Sequence, residues 1–116
     1  MLPRERIATA IRASAAGGAP ALVAFLTAGF PRREQFREHL AAVAAGLDVV
    51  EIGVPFTDPM ADGMTIQRSS HAALGQGVTL RWLLDELAAM PRVGKPLLLM
   101  SYLNPLLSFG YERLAA

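Results

Sequence analysis

A chain of 116 residues is long enough for one small domain with a modest core, and 53% hydrophobic with 18% charged residues marks it as globular rather than disordered. A formal net charge of +1 without a basic stripe argues against nucleic acid as a partner, and the absence of cysteine excludes disulfides, thiol chemistry and Cys-ligated metal. The opening MLPRERIATA is charged but leads into no apolar signal core, and no run reaches the roughly 18 apolar residues of a membrane span, so the expectation is a soluble cytoplasmic protein.

Taken in order, Arg4–Ala16 is expected to be helical, with Ile7 and Ile11 giving a thin apolar stripe. Gly17-Gly18 ends it and Pro20 prevents its resumption. Ala21–Thr27 is a nearly continuous apolar run, the pattern of a parallel strand covered on both faces. Gly29-Phe30-Pro31 makes a turn. Arg32–Ala45 is expected to be a helix, because Phe36, Leu40, Val43 and Ala44 recur at helical spacing. Its charges Arg32, Arg33, Glu34, Arg37 and Glu38 are most simply a solvated face. Gly46 stops the helix, and Asp48–Ile52 is the second strand.

A loop follows, then a helix over Thr65–Leu74 that Gly75-Gln76-Gly77 breaks. Thr79 can cap a helix over Leu80–Met90, which Pro91 and Gly94 end. Leu97–Met100 is the third strand, extending to about Tyr102. Asn104-Pro105 is expected to force a turn, and Phe109–Ala116 to start another helix. Strands alternating with helices predict right-handed βαβ units and a parallel sheet, with no internal repeat, low-complexity tract or linker. The pattern alone leaves open a doubly wound sheet and a (β/α)8 barrel.

The most informative stretch is Glu51–Gln67, EIGVPFTDPMADGMTIQ. Glu51 is a carboxylate within an apolar strand, where an unpaired charge is costly and the neutral form is favoured. Asp62 follows in a loop beside Gly63. Two carboxylates in different surroundings are the usual means of dividing acid and base roles. The simpler explanations are a strand end that salt-bridges or reaches water for Glu51 and turn chemistry for Asp58 and Asp62. A hard-cation site is disfavoured, because the spacing fits no EF-hand loop and no histidine is near. His39 and His71 are expected at the surface or its boundary. Ser69-Ser70-His71 are helical neighbours that point apart and make no triad. Gly75-Gln76-Gly77 is no dinucleotide fingerprint, and Trp82 is expected to pack on a helix face. Phe25 and Tyr102, on residue type alone, are ordinary core aromatics.

The run Glu51-Ile52-Gly53-Val54-Pro55-Phe56, with Asp58-Pro59, Ala61-Asp62-Gly63 and Thr65-Ile66-Gln67, resembles the tryptophan synthase alpha chain family. Phe25-Leu26-Thr27-Ala28-Gly29-Phe30-Pro31 and Met100-Ser101-Tyr102-Leu103-Asn104-Pro105 resemble the ends of that family's first and third strands. The resemblance implies the N-terminal part of a (β/α)8 TIM barrel: about three βα units after an extra N-terminal helix, with residues 1–116 a single incomplete domain. Such barrels need about 250 residues and bind phosphate with loops after strands 7 and 8, so the chain by itself is expected to be inactive.

The resemblance further implies a lyase of L-tryptophan biosynthesis that cleaves indole-3-glycerol phosphate to indole and glyceraldehyde 3-phosphate. It assigns general acid/base work to Glu51, the indole N–H to Asp62, and the pocket wall to Phe25, Tyr102 and Met100. It implies no cofactor and no metal, pyridoxal phosphate belonging to a beta chain that pairs with the alpha chain in an α2β2 tetramer. The loop Pro55–Met60, with Pro55, Phe56 and Asp58, would face that partner. Met64 departs from the family, many members having proline there, and loss of the locked φ would loosen the loop that aims Asp62. Three other readings are a non-catalytic fragment that keeps the partner loop, a stand-alone indole-releasing lyase, and another phosphate-binding barrel. A Schiff-base aldolase is disfavoured because the one lysine, Lys95, precedes its strand.

Overall fold

The computed structural model describes all residues, Met1–Ala116. The first helix, α1 (Pro3–Ala16), starts with proline at its first position, where no intrahelical N–H is needed, and Glu5 reaches back to accept the Leu2 N–H at 2.8 Å. Strand β1 (Val23–Thr27) begins two residues later than its apolar run suggests, since Leu22 lies at the rim and is exposed. The segment expected as one helix from Arg32 opens instead with a 3₁₀ turn, Arg33–Gln35, before α2 (Phe36–Ala45). That turn is clamped from outside: the Gln76 side chain accepts the Arg33 N–H at 3.0 Å and donates to the Pro31 carbonyl at 2.5 Å.

Strand β2 (Val49–Gly53) leads through the loop into α3 (Met64–Leu74) and then α4 (Leu80–Ala89). Thr79 caps α4 as expected, its hydroxyl accepting the Trp82 N–H at 3.1 Å. Strand β3 (Leu97–Met100) stops at Met100, short of the expected Tyr102. Asn104-Pro105 does not make a turn. Both residues lie in the first turn of α5 (Leu103–Phe109), where proline's missing N–H leaves no bond unmade. The break comes at Gly110, whose φ of +99° suits glycine alone, and α6 (Tyr111–Ala115) follows.

The three strands form one parallel sheet in the order β1-β2-β3. Their register sorts the sequence into rows. Leu26, Ile52 and Leu99 align across the sheet, and Phe25, Glu51 and Leu98 form the next row on the opposite face. The first face carries the core: Val50 and Ile52 pack with Phe36, Leu40 and Ala44 of α2, Ala73 of α3, and Leu80 and Leu83 of α4. Phe36 and Trp82 meet at 5.5 Å between ring centroids, which confirms Trp82 as a packing residue. The charges of α2 are solvated as expected, with Arg37 also paired to Glu86 of α4. His71 is exposed and His39 lies at the boundary. No helix is long and apolar enough to cross a membrane.

Candidate active site

Parallel βα units carry their chemistry at the carboxyl ends of the strands. There a cavity of about 160 Å³ opens, lined by Gly53 and Val54 after β2, Met100, Ser101 and Tyr102 after β3, and Ala61 and Asp62 from the loop. Three of the residues singled out from sequence, Asp62, Met100 and Tyr102, therefore share one cavity. Glu51 and Phe25 do not line it. They lie one row deeper, in register with each other, on the same sheet face as Gly53 and Met100. Glu51 is half-buried and takes part in neither of the chain's two ion pairs, so the salt-bridge explanation of this residue falls away. Phe25 leans over Gly53 so closely that a Cβ there would lie 2.4 Å from its Cζ. Only glycine lets the ring lie so close to the end of β2.

The loop from β2 to α3 is fixed mostly by polar contacts. Pro55 is buried, and Phe56 stacks on Tyr102 with centroids 5.2 Å apart and planes at 29°. The Phe56 N–H donates to the Ser70 hydroxyl at 2.9 Å. The Tyr102 hydroxyl accepts the Ala61 N–H at 2.9 Å, and the Gln67 amide donates to the Asp62 carbonyl at 2.8 Å. Asp58 is exposed. Turn chemistry was the simple explanation of this residue, but the turn is made by main-chain carbonyls: Asp58 accepts the Met60 N–H at 2.9 Å and Pro59 accepts the Asp62 N–H at 3.0 Å. Met64, where the family often has proline, is the exposed first residue of α3.

Ser69 and Ser70, which make no triad with His71, have a packing role that the helical spacing does not show. Both are buried, Ser70 on Phe56 and Ser69 on Thr27 of β1 at 2.7 Å between hydroxyls, and so they tie α3 to two strand ends. Two adjacent serines in an otherwise apolar-faced helix were the available signal, since buried hydroxyls require partners. Lys95 lies at the far end of the sheet, where its ammonium donates to the Leu47 carbonyl at 2.5 Å. A cavity of about 260 Å³ opens at that end, among Arg6, Met90, Lys95 and Leu97, and contains none of the expected site residues. No group of three or more His, Asp or Glu side chains is placed to hold a metal.

A parallel sheet of βα units, with a loop over its strand ends and a cavity beneath that loop that Tyr102 helps to line, is the arrangement of a β/α-barrel wall. The family model described as "Tryptophan synthase alpha chain" matches residues 11–116. A tryptophan synthase alpha chain of Nitratidesulfovibrio vulgaris is 51% identical over 111 residues, covering 94% of this chain and 43% of the relative. That of Chloroflexus aurantiacus is 46% identical over 115 residues, covering 97% of this chain and 43% of its own length. Among solved structures, tryptophan synthase from M. tuberculosis superposes with a TM-score of 0.86 at 34% identity, covering 95% of this chain and 45% of that one. The tryptophan synthase complex of Pyrococcus furiosus gives 0.69 at 36% identity over 81% of this chain and 40% of that one. The chain belongs to the tryptophan synthase alpha chain family. It corresponds to the N-terminal portion, three βα units of the barrel, and spans about 43% of the length of curated relatives.

Proposed function

We propose that these residues are the front of a cytoplasmic carbon–carbon lyase that cleaves indole-3-glycerol phosphate to indole and glyceraldehyde 3-phosphate. Residues 1–116 are then one incomplete barrel domain. The observation that carries the reading is the pairing of a half-buried, unpaired Glu51 in an apolar row with a cavity one row above, lined by Asp62, Met100 and Tyr102.

The chemistry asks for what these groups offer. Indole leaves as a carbon group only once its C3 is protonated, and Glu51 in its acid form supplies that proton. The hydroxyl on the adjacent carbon loses its proton to the resulting carboxylate. The C–C bond breaks, its electron pair restores the indole ring, and the hydroxyl carbon becomes the aldehyde. Positive charge develops on the ring nitrogen after protonation, and the Asp62 carboxylate accepting the indole N–H stabilises it. Phe25, Met100 and Tyr102 hold the ring. No cofactor enters; in this reading pyridoxal phosphate belongs to a beta-chain partner, which the loop with Pro55, Phe56 and Asp58 faces.

The test is a chimera that continues this chain past Ala116 with the matching remainder of the Nitratidesulfovibrio vulgaris alpha chain. It should release indole from indole-3-glycerol phosphate. Glu51→Gln should slow that release by a hundredfold or more, on the order of a lost general acid–base group, and leave substrate binding largely intact. Turnover near that of the parent chimera would sink the assignment. Adding a beta chain should slow amide exchange across Pro55–Met60, and unchanged exchange there would remove the partner assignment.

A further inference from the structure

Tyr102 makes contacts that a simple pocket wall does not need. Its ring lines the cavity and stacks on Phe56, while its hydroxyl accepts the N–H of Ala61, the residue before Asp62, at 2.9 Å. On the other side, the Gln67 amide in the first turn of α3 donates to the Asp62 carbonyl at 2.8 Å. Beyond the Phe56–Ser70 pair at its start and its own main-chain turns, the loop has little else to hold it. Thr57, Asp58, Met60 and Ala61 are all exposed, and segments with few buried apolar contacts are the ones that open locally. Beyond the main-chain bond from its own N–H to the Pro59 carbonyl, the place of Asp62 therefore rests on two side-chain hydrogen bonds from opposite directions, one from the end of β3 and one from α3.

We infer that Tyr102 is a positioning residue whose hydroxyl, held in register by the Phe56 stack, fixes the loop that carries Asp62, with Gln67 as its counterpart. The inference rests on the reading that Asp62 meets the substrate. It divides the tyrosine into two parts with different duties: the ring walls the pocket and the hydroxyl latches the loop. Tyr102→Phe removes the second and keeps the first.

The experiment uses the chimera described above and has two arms. In the first, amide exchange at Ala61 should quicken about three- to tenfold in Tyr102→Phe, the effect of one ordinary hydrogen bond, while exchange at Leu99 in β3 stays as it was. Unchanged exchange at Ala61, or equal quickening at both sites, overturns the latch. In the second arm, kcat/KM for indole release should fall by a similar factor in Tyr102→Phe, and the further loss should vanish when residual rates are compared in the Asp62→Asn background. An equal loss in both backgrounds means the hydroxyl does not act through Asp62. The exchange arm needs no activity, so a chimera whose turnover ignores Asp62→Asn would remove the functional reading and still leave the latch to be decided. Gln67→Met, which frees the Asp62 carbonyl, is the second variant should Tyr102→Phe fail to fold.

Discussion

At Gly53 the backbone is so close to the Phe25 ring that a Cβ would lie 2.4 Å from Cζ and 2.7 Å from Cε2. Both contacts are to the ring edge of Phe25, so the ring must shift for a methyl group to fit. Gly53→Ala should push the Phe25 ring away from β2 and destabilise the barrel by about 1–3 kcal/mol, the usual effect of overpacking. In the chimera this corresponds to several degrees of melting temperature, roughly 2–4 °C for each kcal/mol. Phe25→Leu in the same molecule should return most of the loss, since it removes the obstructing ring atoms. A Gly53→Ala chimera that melts with its parent would show that the ring is free to move aside. The close approach also explains why Gly53 was legible only as part of a family pattern. A glycine in a strand signals that something comes near, but the sequence does not say what.

Between elements, the contact of α3 with β1 depends on buried hydroxyls as much as on apolar packing. Thr27 and Ser69 are both buried and 2.7 Å apart, and Ser69 also donates to the Ile66 carbonyl at 3.0 Å. With the Ser69 proton committed to Ile66, Thr27 is the donor of the pair. The two deletions should therefore differ. Ser69→Ala strands the Thr27 hydroxyl without a partner and should cost about 1–3 kcal/mol. Thr27→Val leaves Ser69 bonded to Ile66 and should cost less, and adding it to Ser69→Ala should recover part of the loss. Thermal melts of the two single variants and the double settle this, and strictly additive losses would refute the donor assignment. Such links mark the limit of what periodicity reveals. The alternation of elements, the Thr79 cap and the core faces of α2 and α4 follow from local spacing and were legible. The Asn104-Pro105 error arose because proline punctuates a chain in two opposite ways, by ending a helix or by standing in its first turn. The polar ties from α3 join residues far apart in sequence, and no local pattern encodes them. Of the candidate site, Asp62, Met100 and Tyr102 meet in one cavity, whereas the row that puts Glu51 beside Phe25 emerges only from strand register.

For the molecule as a whole, the sheet is open at both sides. β1 and β3 each pair on one edge only, and Leu22, Val23 and Leu98 are exposed along them at 57%, 46% and 40%. The accessible surface is 7375 Å², whereas a closed domain of this 12.4 kDa mass exposes about 6,100 Å² by the usual scaling. The excess is what an open arc of barrel wall presents: its concave face and two strand edges. Unpaired edges with apolar side chains are templates for pairing with other chains. Prepared as these 116 residues alone, the chain should therefore associate, sedimenting well above 12.4 kDa and more so as concentration rises. It should release no indole, because the barrel's phosphate-binding loops come after strands 7 and 8. Supplying the remaining strands, as a separate complementing piece of the Nitratidesulfovibrio vulgaris alpha chain, should suppress the association, since the same edges would then pair in register. Sedimentation of the chain alone and with that piece decides the matter. A monomer with a cooperative melt would mean that three βα units with their N-terminal helix already close a stable core, and that the exposed edges are tolerated rather than used.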